Sequence, residues 1–241
     1  MPSTTTAHTA RRMLHRFGLD IVRYPGKAPL PEFLQRFQIA RVLDIGANEG
    51  QYADELRTAG FAGEIVSMEP NAAAYHRLAK RAQGVAHWRV LRMALGATEG
   101  TADLRVTSSD DLSSFLTPTL LMRHVLGENA TAVVRTESVP VTTLASLMHR
   151  EQWNVTTRTL LKLDTQGYER EILEGAGPLL EHFAGLQLEL SLRPLYDGQP
   201  PIEEVIRLLR QRGFVPYDLW PVVRDHTWAA LEVDCLFYRP A

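Results

Sequence analysis

The sequence predicts an α/β domain, a mostly parallel sheet with helices on both faces, and three observations carry that prediction. Short apolar, β-branched runs alternate with helical segments from residue 40 onward. The first run, Ala40 to Ile45, ends in the glycine-punctuated turn Gly46-Ala47-Asn48-Glu49-Gly50. The length, 241 residues, fits one large domain with a sizeable core better than two.

Taken in order, an amphipathic segment near residues 8 to 17 and a proline-bearing connection form an N-terminal extension over residues 1–38, with a short helix from Glu32 to Phe37. Strand Arg41 to Ile45, helix Gln51 to Ala59, strand Glu64 to Met68, helix Ala72 to Ala82 and strand Trp88 to Ala94 make two βαβ steps. Residues 97–158 read as an insertion. In it, Gly100 to Val106 alternates like an exposed strand, Val139-Pro140-Val141 reads as an edge strand because proline lacks a donor, and Leu144 to Arg150 is a helix capped by Thr142 or Thr143. The polar segment 107 to 129 is a candidate lid. Regularity returns with strand Leu160 to Leu163, a helix from Tyr168 to Phe183, strand Leu186 to Leu190 and helix Ile202 to Arg212. Strands near Pro216 to Leu219 and Asp234 to Tyr238 close the domain as an antiparallel hairpin at the sheet edge.

The turn after the first strand reads as a nucleoside-cofactor site. Gly46 and Gly50 let backbone approach a ligand, and Glu69, ending the second strand before Pro70 and Asn71, can accept from both hydroxyls of a ribose. A dinucleotide fingerprint needs Gly-x-Gly-x-x-Gly to admit a pyrophosphate, whereas here the pattern is Asp-x-Gly-x-x-x-Gly with Asn48 at the middle glycine's place. Asp44 repels phosphate and suits the sulfonium and ammonium of S-adenosylmethionine. Ala47, Tyr52, Ala94 and Leu95 complete the expected cofactor contacts.

Net charge is −2 with both signs interspersed, which gives no electrostatic case for nucleic acid. The single cysteine, Cys235, excludes an internal disulfide and a cysteine metal cluster. No secretory leader and no apolar run of membrane-spanning length is visible, so a cytoplasmic location is expected. The N-terminal segment is a candidate cap or homodimer contact.

The stretch Val42 to Gly50, then Met93-Ala94-Leu95-Gly96, Val139 to Leu144, and above all Leu161-Lys162-Leu163-Asp164-Thr165-Gln166-Gly167-Tyr168-Glu169 with Leu173-Glu174-Gly175-Ala176 occur in the order found in one family. Over residues 40 to 192 the chain resembles the FkbM family of S-adenosylmethionine-dependent methyltransferases. The resemblance implies a seven-stranded class I methyltransferase sheet and, as acceptor, a hydroxyl on a sugar, oligosaccharide or glycosylated metabolite. Where the family often has Val-Glu-Gly-Ala-Glu, this chain has Thr165-Gln166-Gly167-Tyr168-Glu169, which removes a carboxylate and adds a phenol.

A sugar hydroxyl is a poor acid, so its methylation needs a base or a metal that lowers its pKa. Asp164 and Glu189, near the carboxyl ends of adjacent strands, are candidates to bind Mg²⁺ with help from Asp110 or Asp111. Asp164 is alternatively the general base, or a partner for the cofactor's ammonium. His124 and His226 are the runner-up bases. Tyr168, Ser113 and Tyr196, the last as an exposed aromatic platform, are candidates to touch the acceptor. Two other readings stay open, an NAD- or nucleotide-binding oxidoreductase and a cofactor-binding module without catalysis.

Overall fold

A computed structural model of the protein describes residues 29–153 and 158–240. The segment near residues 8 to 17, expected as a helix, lies outside the described residues. Helix α1 (Pro29–Arg36) leads into the alternating core of β1 (Arg41–Ile45), α2 (Gln51–Thr58), β2 (Glu64–Met68), α3 (Ala72–Ala82) and β3 (Trp88–Leu91). A short β4 (Ala94–Leu95) precedes the insertion, which carries β5 (Gly100–Thr107), α4 (Leu120–Leu126), α5 (Glu128–Thr131), β6 (Val133–Thr142) and α6 (Leu144–Arg150). The chain then returns to the main sheet through β7 (Thr159–Leu163), α7 (Glu169–Ala176), β8 (Gly185–Ser191), α8 (Ile202–Gln211), β9 (Val215–Arg224) and β10 (Ala230–Tyr238).

The seven-stranded sheet has the order β3-β2-β1-β7-β8-β10-β9. The first five strands are parallel, and β10 runs antiparallel between β8 and the edge strand β9. Because side chains alternate along a strand, β1 serves both faces. Val42 joins Phe33, Leu56, Leu78 and Leu160 on the side of α1, α2 and α3, while Leu43 and Ile45 join Leu147, Leu173 and Leu209 on the side of α6, α7 and α8. Strand order reverses between the parallel neighbours β1 and β7, which opens a crevice at their carboxyl ends, the usual ligand position in such sheets.

The expected third strand is divided. Backbone pairing with β2 stops at Leu91, and Ala94 and Leu95 pair instead with Val141 and Thr142 in a separate sheet of order β4-β6-β5. Val139-Pro140-Val141 accordingly lies in a central strand, not at an edge. Proline is tolerated there because β4 pairs with Val141 and Thr142 alone, so β6 has one paired side along most of its length. The expected helix from Tyr168 to Phe183 ends at Ala176, where Gly177 takes a positive φ and Pro178 follows. Its remainder is a 3₁₀ turn, Gly177–His182.

Candidate active site

The carboxyl ends of β1, β2, β7 and β8, the start of β10 and the segment 110–115 enclose a cavity of about 460 Å³, within the range of cofactor and substrate sites. Its shape begins with backbone. Gly46 has φ +76°, and a Cβ there would lie 1.8 Å from the carbonyl oxygen of Asp164, so the ends of β1 and β7 come together as closely as a glycine permits. Asn48, also in the left-handed region, donates its N–H to Glu69 Oε2 (2.9 Å), and Asn71 N–H donates to Oε1 (2.8 Å). Glu69 faces the cavity at 7 % exposure, and burial pushes its pKa up to about 7 against those two donors.

Below this wall lies a charged network. Asp44 is fully buried. Its Oδ2 accepts from Ser67 Oγ (2.9 Å), and its Oδ1 is 3.3 Å from Lys162 Nζ. Lys162 donates to Asp164 Oδ2 at 3.1 Å and lies 5.2 Å from the ring centroid of Tyr52. The Tyr52 hydroxyl in turn donates to Gln187 Oε1 (2.7 Å). Burial works against the ammonium, yet the charges of Asp164 and Asp44 outweigh it and raise the Lys162 pKa. Asp44 stays above its ordinary value because its burial is complete.

Asp164 and Glu189 do converge. Gln166 Nε2 donates to Asp164 Oδ1 (3.0 Å) and to Glu189 Oε2 (2.9 Å). Burial opposes charge on both, but Lys162 and a hydrogen bond from Glu189 hold Asp164 below its ordinary value, while burial and the Asp164 charge push Glu189 well above its own. The two carboxyls are thus pushed in opposite directions, Asp164 toward its ionised form and Glu189 toward its protonated form. This arrangement does not fit the expected Mg²⁺ site: the amide of Gln166 already lies against both carboxyls and the ammonium of Lys162 against Asp164, and among the described residues no group of three His, Cys, Asp or Glu side chains is arranged to hold a metal ion. Asp110, though it lines the cavity, is engaged at its rim, pairing with Arg77 and accepting from Asn71.

Of the other expected residues, Gly46, Ala47, Asn48, Tyr52, Glu69, Pro70, Ala94, Leu95, Ser113 and Tyr168 line the cavity. Asp44 lies one layer beneath it, Gly50 sits against Trp88 behind the turn, and Asn71 caps α3 by accepting from Ala73 and Ala74. Tyr196 is a correction. It has no exposed surface and packs with Met122 and Leu195 beneath the insertion, its hydroxyl 2.8 Å from Gln166 Oε1 and 3.0 Å from the Leu112 carbonyl, so it is no platform for a sugar ring. His124 and His226 stand edge to face with each other, ring centroids 6.2 Å apart, and neither lines the cavity.

A family model described as the methyltransferase FkbM domain matches residues 44–216. The chain belongs to the FkbM methyltransferase family. Among solved structures this FkbM methyltransferase is similar to an rRNA methylase from Streptococcus thermophilus, at 12 % identity over 92 % of this chain and 99 % of that one, with a TM-score of 0.49. It is also similar to a TehB-like methyltransferase from Corynebacterium glutamicum, at 12 % identity over 98 % and 97 % of the two chains, with a TM-score of 0.43. Neither likeness bears on the acceptor. No curated protein matches the chain.

The family implies S-adenosylmethionine, and the residues present fit it. The Gly46 to Asn48 turn offers close backbone, Glu69 offers carboxylate oxygens for ribose hydroxyls, and Ala94 and Leu95 supply an apolar wall. Gln187, Glu232 and Asp234 also line this FkbM methyltransferase's cavity, and sequence reading passed over them; Gln166 lines it too, noted in the sequence only as a missing carboxylate. Glu232 and Asp234 alternate with Leu231, Val233 and Cys235, the pattern of a half-exposed strand. Only the placement of β10 inside the sheet turns their face into a cavity wall.

Proposed function

We propose that the protein is an O-methyltransferase, moving the methyl group of S-adenosylmethionine to a hydroxyl of a sugar, oligosaccharide or glycosylated metabolite. The observation that carries this reading is the Asp164–Glu189 pair on the cavity wall, bridged by the amide of Gln166 and with the Lys162 ammonium against Asp164. When bound, the cofactor supplies a methyl already activated by its sulfonium, so the chain's own task is to position the acceptor oxygen and receive its proton. Asp164 is the base, kept ionised by Lys162. Glu189 stands beside it, and the amide of Gln166, donating to both, fixes the separation of the two. Tyr168, Ser113 and Gln187 complete a wall rich in groups that hydrogen-bond hydroxyls.

The test is methyl transfer to a panel of sugars by wild type and Asp164→Asn, with S-adenosylhomocysteine binding measured on both. Loss of the base lowers kcat by about 10²- to 10⁴-fold with cofactor affinity retained. Equal turnover by the two proteins removes Asp164 from this role.

A further inference from the structure

The cavity has an end that methyl transfer to a plain hydroxyl leaves without a use. In the register of β8 and β10, Asp234 lies opposite Glu189 and Glu232 opposite Ser191, so these carboxyls share one face of the sheet. Glu189 and Glu232 both line the cavity. Glu232 is only 6 % exposed. Its Oε1 accepts from Ser191 Oγ at 2.8 Å, and its Oε2 has no hydrogen-bond partner among the described residues. Among the described residues that line the cavity, Lys162 is the one cationic side chain, and it is taken up by Asp44 and Asp164. No described cation lies within ion-pair distance of Glu189 or Glu232.

Leaving carboxyls buried without a counter-charge is unfavourable, and burial with the neighbouring acids pushes Glu232 up to about 7 and Glu189 well above its ordinary value. The cofactor's own positive groups do not relieve them. Those belong at the turn after β1, and three strand spacings separate β1 from β10, roughly 14 Å.

Resting on the O-methyltransferase reading, we propose that the acceptor carries an ammonium group, as an amino sugar does, and that Glu232 with Glu189 receives it beside the hydroxyl to be methylated. An ammonium brings three donors and one positive charge to a wall with acceptors to spare, and its charge favours the ionised form of the carboxyls it meets. Specificity then comes from the mismatch left by a neutral analogue, which would bury the same carboxyls with nothing to meet them.

The experiment uses the full chain saturated with S-adenosylhomocysteine and titrates matched pairs: glucosamine, galactosamine and 3-amino-3-deoxyglucose against their N-acetyl forms and the parent sugars. At least one amine is expected to bind about tenfold or more tighter than its N-acetyl and neutral counterparts, and that preference is expected to vanish in Glu232→Gln and in Glu189→Gln. Two variants are used so that a folding defect in one does not decide the matter. Absence of any preference for the amines, binding by none of them, or a preference unchanged in both variants overturns the proposal. If neutral sugars are methylated with no such preference, the O-methyltransferase reading stands and the amine is wrong. If S-adenosylhomocysteine itself does not bind, both fall.

Discussion

Lys162 Nζ lies 3.1 Å from an oxygen of Asp164, and the same ammonium reaches Asp44 at 3.3 Å, so one buried cation neutralises the proposed base and the acid beneath the cofactor turn together. Lys162→Met leaves both carboxylates without it. Removing one partner of a buried pair costs roughly 3–5 kcal/mol, and urea unfolding is expected to show a loss of that order. The double variant Lys162→Met/Asp44→Leu, which takes away both charges, is expected to recover part of it.

Glu69 is held by the N–H groups of Asn48 and Asn71 while facing the cavity. Glu69→Gln keeps the shape and gives up charged acceptors for the ribose. Hydrogen bonds to charged groups are worth about 1.5–3 kcal/mol, so calorimetry should find S-adenosylhomocysteine bound at least about tenfold more weakly. Unchanged affinity would show that Glu69 does not touch the cofactor.

Glu69, Glu169 and Glu232 are each pushed up to about 7 by burial, from an ordinary value of 4.5. The folded chain therefore holds more protons than the unfolded one between these values, and the contribution of these groups, full below 4.5, is lost as pH rises through 7. Asp164, held below 3.8, works in the opposite sense but in a more acidic window. The thermal midpoint of the ligand-free protein is expected to fall from pH 5 to pH 8, and Glu169→Gln is expected to flatten the slope. A midpoint that rises over this range contradicts the assignment.

Gly175 lies within α7, where alanine is intrinsically better by about 1 kcal/mol. A Cβ there would come within 2.0 Å of the carbonyl oxygen of Gly96, at the end of β4. Steric overlap wins over propensity, and Gly175→Ala is expected to destabilise by about 1–3 kcal/mol in denaturant unfolding.

Much of this was legible in the sequence. Glu64–Met68, Ala72–Ala82 and Leu144–Arg150 fall where periodicity and capping residues put them, because those signals are local. The turn at Gly46 and the acid at Glu69 reveal themselves through residue type, since few other side chains suit a close backbone approach or a ribose. What escaped depends on pairing between distant segments. Nothing near Arg92 says that the chain leaves one sheet for another. Nothing around Tyr196 says that α4 of the insertion covers it. The acids of β10 look solvated until the strand is placed between β8 and β9. Gln166 was seen as a lost carboxylate, whereas its amide supplies the donor that lets two acids sit together.

The position of β10 also governs the order in which the sheet can assemble. Strand β9 touches the rest of the sheet through β10 alone and so has nothing to join until the later strand exists. The two are joined by a tight connection in which the Asp225 carboxylate accepts from the N–H groups of Thr227 and Ala229, so they can pair locally and then dock onto β8 as a finished hairpin. Amide protons of β9 and β10 should accordingly exchange as one cooperative unit, and each opening of that unit would take the far wall of the cavity with it while the cofactor turn stays closed.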